Sequence, residues 1–114
     1  MKTILIIDDD FSNILILKKL LTQDYNVLYA NDGLDGLHIY NNNSIDLIIT
    51  DIRMPLMDGF ELAKIINKKI PIIALSADID YNQEYFHFFH HYILKPYVFS
   101  DLKKIIYELL KGND

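Results

Sequence analysis

The sequence predicts an α/β domain in which helices cover both faces of a parallel five-stranded sheet. Short apolar runs rich in β-branched residues recur along the chain, and segments with the apolar spacing of helices separate them. Strands that alternate with helices are joined by right-handed crossovers, which sets the strands parallel to one another. The chain has 114 residues, about the length of one domain, so we expect residues 1–114 to fold as a single domain.

Each predicted strand is a short apolar run that stops at or near a polar residue. The third is the clearest, because its run ends at Asp51, Pro55 cannot continue a central strand, and Asp58-Gly59 suits a turn or a helix start. We predict strands over residues 4–7, 27–30, 46–50, 72–75 and 92–94. The predicted helices run from a cap at Asp10 or Ser12 to about residue 22, and over residues 34–40, 60–67 and 99–110.

The composition is that of a soluble globular protein and argues against several other classes. Hydrophobic residues make up 51% of the chain and charged residues 24%. No apolar run approaches the ~18 residues that cross a bilayer, and no signal peptide is recognisable, so we expect a cytoplasmic protein without membrane association. The net charge of -5 argues against nucleic-acid binding. The absence of cysteine excludes disulfide bonds and thiolate metal sites.

Polar side chains follow or close four of the five predicted strands. They are Asp8 and Asp9, Asp51, Ser76, and Lys95. The carboxyl ends of parallel strands lie at one edge of a sheet, where ligands of such folds bind. We therefore expect these side chains to meet in one crevice.

The residue types in this crevice suit phosphate chemistry. Three carboxylates close together repel one another unless a cation lies among them, and Mg²⁺ is the ion that such oxygen ligands favour, with Mn²⁺ able to take the same set. A lysine and a hydroxyl match the oxygens of a phosphoryl group, and Asp51 is the carboxylate left to attack phosphorus. The residues by themselves predict phosphoryl transfer onto Asp51.

The same residues resemble the receiver domains of two-component response regulators, over nearly the whole chain. The resemblance lies in Asp8-Asp9, in Asp51 within DIRMPLMDG, in Ser76-Ala77 and in Lys95-Pro96. It implies a flavodoxin-like fold with strand order 2-1-3-4-5. It also implies a domain that takes a phosphoryl group from a histidine kinase or a histidine phosphotransfer protein. Such a domain signals by protein contacts or onward relay and turns over no separate substrate.

The resemblance assigns a role to each residue of the crevice. The implied Mg²⁺ ligands are Asp8, Asp9, Asp51 and the backbone carbonyl of Arg53. Lys95 and the Ser76 hydroxyl would bind phosphoryl oxygens, and Tyr92 would rotate inward when Ser76 moves toward the phosphate. The Lys95-Pro96 bond is commonly cis in this family. Arg53 and Asp78 would flank the phosphate and limit the approach of water.

The first predicted helix carries more apolar residues than one buried stripe can hold. We expect Ile14 and Leu17 to be the surplus residues and to dock a histidine-bearing helix beside Asp51. The alternative is that this helix is simply more buried than its pattern indicates.

The segment YNQEYFHFFHHY, residues 81–92, departs most from the receiver pattern. We expect the fourth of the usual five helices to be short or irregular here. His87, His90 and His91 could form a metal site, but partly exposed aromatic packing is the simpler interpretation. Residues 81–110 could also form a homodimer or partner surface.

Three other functions share part of this pattern. A phosphatase of the haloacid dehalogenase type needs a second acid two residues after its nucleophile, where this chain has Arg53. A flavin carrier needs a polar, uncharged phosphate loop after the first strand, and Asp8-Asp9-Asp10 would repel the flavin phosphate. The remaining alternative is a pseudo-receiver, a protein-interaction module with the receiver fold that is not phosphorylated.

Overall fold

A computed structural model describes residues 1–77 and 83–111, with the backbone alone for residues 83–85. The five strands are β1 (Thr3–Ile7), β2 (Asn26–Ala30), β3 (Leu47–Asp51), β4 (Ile72–Ser76) and β5 (His91–Leu94). The four α-helices are α1 (Phe11–Leu21), α2 (Gly33–Asn42), α3 (Gly59–Ile66) and α4 (Phe99–Lys111). Among the described residues, no helix is long and apolar enough to span a membrane.

The strands form one parallel sheet in the order β2-β1-β3-β4-β5, which confirms the predicted fold. The irregular fourth helix is also confirmed for the described part of its segment. Gln83–Phe88 is a 3-10 helix that takes the place between β4 and β5. Such helices are usually short because their hydrogen bonds are poorly aligned.

Side chains of the central strands are buried on both faces of the sheet, which explains their unbroken apolar runs. One face of β1 and β3 packs Leu5, Ile7 and Ile48 against α3 and the 3-10 helix. The other face packs Ile4, Ile6, Leu47 and Ile49 against α1 and α4. The alternation of these residues between two cores fixes the register of the sheet, because a slip by one residue would exchange the faces.

The parallel register aligns the carboxyl ends of the central strands. Ile7 is in register with Thr50, and Asp51 is in register with Leu75. Three residues therefore lie side by side at one edge: Asp8, which follows β1, Asp51 at the end of β3, and Ser76 at the end of β4. The sheet thus brings together side chains that lie more than forty residues apart in the chain.

Helix α3 begins directly against this edge. Its N-cap, Asp58, accepts the backbone N–H of Glu61 at 2.8 Å, and the Glu61 side chain accepts the N–H of Asp58 at 3.2 Å. This capping box satisfies two backbone donors that a helix start leaves unpaired. The Gly59 N–H also donates to the Ile52 carbonyl at 2.8 Å. The first turn of α3 is therefore tied to the chain just beyond Asp51.

Candidate functional site

Three acids meet at the carboxyl edge of the sheet. One oxygen from each of Asp8, Asp9 and Asp51 lies within 4.8 Å of the others. Asp8 is buried, Asp51 is partly buried and Asp9 is exposed. Within residues 1–77 and 83–111, no other three acidic, histidine or cysteine side chains come this close together. Hard divalent cations prefer such carboxylate oxygens, so the donor set fits Mg²⁺.

The Asp51 carboxyl is in an environment that disfavours its charge. Burial raises the pKa of Asp51, and the Asp8 and Asp9 carboxylates raise it further. The Lys95 ammonium opposes this effect, as does the N–H of Ile52, which donates to Asp51 Oδ1 at 2.8 Å. Negative charge at this point is therefore only partly compensated by the protein, and an added cation would relieve it.

Asp8 is held by donors on both of its oxygens. Oδ1 accepts the backbone N–H of Asp10 at 2.9 Å. Oδ2 accepts the side-chain amide of Asn13 at 3.2 Å and lies 3.6 Å from Lys95 Nζ. The sequence prediction did not include Asn13. Its signal was an amide in the first turn of the helix that follows the acids.

The predicted phosphate-binding residues lie at the ends of the next two strands of the sheet, β4 and β5. Ser76 is the last residue of β4 and is 3% exposed. Lys95 directly follows β5, and its N–H donates to the Ser76 carbonyl at 2.8 Å. The Lys95-Pro96 peptide bond is cis. The sheet thus places the hydroxyl and the lysine at the same edge as the acids.

Two cavities give access to this edge. A cavity of about 360 Å³ is lined by Asp9, Arg53, Met54, Pro55 and Asp58, together with Ile52 and Phe60. A second cavity of about 220 Å³ is lined by Asp8, Asn13, Lys95 and Tyr97 among others. Asp9 and Asp8 thus line separate cavities at this edge of the sheet.

The family described as the response regulator receiver domain matches residues 4–107. This chain belongs to the response regulator receiver domain family. The sensor protein EvgS of Escherichia coli K12 is 42% identical over 85 residues, which are 71% of this chain and 7% of EvgS. The probable transcriptional regulator ycf29 of Pyropia yezoensis is 35% identical over 117 residues, 96% of this chain and 53% of ycf29. The receiver domain thus spans a small part of EvgS and about half of ycf29.

Solved structures resemble this receiver domain along nearly its whole length. The response regulator TrrA from Thermotoga maritima, in complex with Mg²⁺-BeF, has a TM-score of 0.88 and 33% identity and covers 96% of this chain and 100% of its own. A CheY-like receiver domain from Methanospirillum hungatei has a TM-score of 0.92 and 29% identity. The match covers 98% of this chain and 95% of that domain. These likenesses agree with the sheet order and with the acidic cluster.

In this receiver domain, Tyr92 packs into an aromatic cluster. Its ring centroid lies 4.7 Å from that of Phe86, 6.0 Å from Phe89 and 6.4 Å from Phe60. The Tyr92 hydroxyl is buried. The ring therefore lies on the inner side of β5, in contact with the 3-10 helix and α3.

Among the described side chains of the divergent segment, Phe86, Phe88 and Tyr92 are partly buried and pack against the core beside α3. Phe89 is buried and belongs to the core beside α3. His87, His90 and His91 are exposed. None of them joins a group of three metal-ligating side chains within the described part of the chain.

The prediction that Ile14 and Leu17 dock a partner is wrong. Ile14 is 0% exposed and Leu17 is 3% exposed, because both belong to the core between α1 and the sheet. The helix does carry surplus apolar residues, but they lie on its other faces. The exposed set is Phe11, Leu15, Ile16 and Leu20.

Of Arg53 and Asp78, which are predicted to limit the approach of water to the phosphate, only Arg53 lies among the described residues. Arg53 is exposed and lines the larger cavity together with Asp9. Asp78 lies outside the described residues.

Proposed function

We propose that this receiver domain accepts a phosphoryl group on Asp51 from a histidine kinase or a histidine phosphotransfer protein. The observation that carries the proposal is the cluster of Asp8, Asp9 and Asp51, whose oxygens lie within 4.8 Å of one another. Lys95 extends this cluster, since its ammonium lies 3.6 Å from Asp8. Acids and a lysine in this arrangement are the groups that phosphoryl transfer to a carboxylate requires.

The ion of the proposed reaction is Mg²⁺, held by Asp8, Asp9, Asp51 and the backbone carbonyl of Arg53, with Mn²⁺ as a substitute. When bound, it would neutralise negative charge on the carboxylates and on the transferring phosphoryl group.

Asp51 is the proposed nucleophile, and its two oxygens have different roles. Oδ1 accepts the Ile52 N–H, so Oδ2 is the oxygen that forms the new bond to phosphorus. The bond between phosphorus and the donor imidazole nitrogen breaks, and the electron pair leaves with the imidazole. The Lys95 ammonium and the Ser76 hydroxyl then bind oxygens of the phosphoryl group on Asp51.

The proposed readout links the phosphoryl group to the aromatic cluster. Ser76 would move toward the phosphate. The inward position predicted for Tyr92 on this movement is the one it already has against Phe86 and Phe89, so phosphorylation would stabilise that position. Pro96 shapes the loop that presents Lys95. Arg53 and Asp78 together would limit the approach of water to the phosphoaspartate.

The exposed apolar residues of α1 are the proposed contact for the phosphodonor. Phe11, Leu15, Ile16 and Leu20 are each more than 40% exposed, and Ile16 also lines the cavity that contains Asp8 and Lys95. Grouped exposed apolar side chains of this kind mark protein contact sites. A histidine-bearing helix that packs on them would lie beside Asp51. A cytoplasmic location follows from a phosphodonor of this kind.

The output surface of the domain stays a prediction. Leu94, Val98 and Tyr107 are exposed apolar residues within residues 81–110, and they support a homodimer or partner contact there. Signalling would proceed through such contacts or by onward transfer of the phosphoryl group. A pseudo-receiver is the second candidate, favoured by the 3-10 helix that replaces a regular helix.

Incubation with acetyl phosphate and Mg²⁺ tests the proposal. Intact-mass measurement should detect one added phosphoryl group on the native protein and none on Asp51→Ala. Loss of the added mass both in alkali and in hydroxylamine would identify an acyl phosphate. An unmodified native protein that also fails to bind Mg²⁺ would instead support the pseudo-receiver function.

A further inference from the structure

Asn13 contacts one of the three acids but has no role in the function proposed above. Its amide nitrogen donates to Asp8 Oδ2 at 3.2 Å, the oxygen that also lies 3.6 Å from Lys95 Nζ. Asp8 is 6% exposed, so water has little access to that carboxylate. Two side chains from different elements thus share one oxygen of a buried acid.

The position of Asn13 is fixed by the helix that carries it. Asn13 lies in the first turn of α1, which Asp10 caps by accepting the Ser12 N–H at 2.9 Å. The next residue, Ile14, is fully buried against the sheet and anchors this turn. Because helix and sheet are packed together, the backbone of Asn13 is held at a fixed distance from Asp8.

Lys95 is less able to hold Asp8 during the reaction. Its ammonium is the cation that the phosphoryl group attracts once it is attached to Asp51, whereas the neutral amide of Asn13 has no such competing charge. After Lys95 turns to the phosphoryl group, Asn13 is the side chain that still donates to Asp8 Oδ2. A buried carboxylate oxygen that is left without a donor costs free energy, so the Asn13 amide stabilises this orientation of Asp8.

We propose that Asn13 is a positioning residue that keeps the Asp8 carboxylate oriented for Mg²⁺ binding. This inference rests on the proposed function. Residues that hydrogen-bond to a metal-ligating side chain typically contribute about 10–100-fold to metal affinity. We expect Asn13→Leu, which has a similar shape but no donor, to bind Mg²⁺ about tenfold more weakly. Asn13→Gln keeps an amide donor and should recover part of the affinity.

The measurement is an NMR titration with Mg²⁺ alone, which follows the amide signals of Asp9 and Asp51 and needs no phosphorylation. Ser12→Ala, in the same turn and exposed, is the matched control and should bind Mg²⁺ as the native protein does. The acetyl phosphate rate of Asn13→Leu should return to within about twofold of the native rate at saturating Mg²⁺, since Asn13 acts through Asp8. Urea denaturation in EDTA shows that the variant is folded.

Three results would overturn the inference, and they are distinguishable. Equal Mg²⁺ affinity of the native protein and Asn13→Leu would contradict the proposed role of Asn13, but it would not contradict the proposed phosphorylation of Asp51. Equal weakening by Ser12→Ala would assign the effect to a general disturbance of α1. A native protein that binds no Mg²⁺ overturns the proposed function and this inference together.

Discussion

Gly59 lies against the backbone of Asp51 so closely that a Cβ atom on it would be 2.6 Å from the Asp51 carbonyl oxygen and 3.0 Å from Ile52 Cα. Both neighbours are backbone atoms of the strand end that carries the candidate phosphoacceptor. A side chain at position 59 would therefore push α3 away from β3, or displace Asp51 itself. The close approach of these two residues makes the geometry of the acidic cluster depend on the start of a helix.

Gly59→Ala should destabilise the fold by about 1–3 kcal/mol, because an added methyl group that meets backbone cannot be accommodated by a rotamer change. Urea denaturation measures this change. Gly36→Ala is the matched control, since its Cβ would meet mainly Cδ1, the far end of the Ile7 side chain, at 2.4 Å. Gly36→Ala should lose less stability than Gly59→Ala, because alanine has a higher helix propensity than glycine in the interior of α2. Equal losses of stability in the two variants would contradict the expected difference.

Ile14→Ala and Leu15→Ala should differ sharply in stability although the two residues are adjacent. Ile14 is fully buried, so truncation leaves a cavity and should cost about 2–5 kcal/mol. Leu15 is 51% exposed, and its truncation should change the free energy of unfolding by only about 0.5 kcal/mol. Chemical denaturation of both variants checks the assignment. A large loss of stability in Leu15→Ala would mean that α1 is rotated about its axis relative to the orientation described.

Leu15→Lys should slow phosphotransfer from a histidine phosphotransfer protein while it leaves the reaction with acetyl phosphate unchanged. A charge in the middle of an apolar contact weakens docking, and loss of one central contact residue commonly costs more than ~1 kcal/mol, or about fivefold. Rates with the two donors can be compared in single-turnover assays. Leu34→Lys is the control, because Leu34 is similarly exposed but lies on α2, on the opposite face of the sheet. If both donors slow equally, α1 is not the docking surface.

Asp51→Asn should make the metal-free protein more stable at neutral pH. Burial and the neighbouring Asp8 raise the pKa of Asp51 in the folded state, so the native form binds more protons than the unfolded form. Stability from this group is therefore greatest at low pH and falls as pH rises through the folded pKa. We expect a gain in stability at pH 7, which shrinks as pH falls below the ordinary aspartate value of about 3.9. Thermal denaturation in EDTA across this pH range tests this dependence. A stability gain from Asp51→Asn that grows at low pH would contradict it.

The sequence determined the elements of the fold and the residues of the candidate site. Apolar runs that stop at Asp8, Asp51 and Ser76 are local patterns, and a parallel sheet brings their ends together without any further information. The predicted strand positions agree with the structure to within one or two residues. The departure at residues 81–92 was also visible, because this segment lacks the Ala-rich helix and the Gly-Ala turn that receivers usually have there.

Only the tertiary structure decided which residues of α1 face the sheet. Ile14, Leu15, Ile16 and Leu17 are all apolar, so the sequence does not fix the rotation of the helix, and the choice of Ile14 and Leu17 as surface residues was wrong. Rotation is set by packing against β1 and also against β3 and α4, and the last two elements are distant in sequence. The contact between Asn13 and Asp8 depends on that same rotation. For this receiver domain, the strand ends predict which side chains meet in the candidate site, whereas the orientation of one helix determines how Asp8 is held and which apolar side chains are exposed.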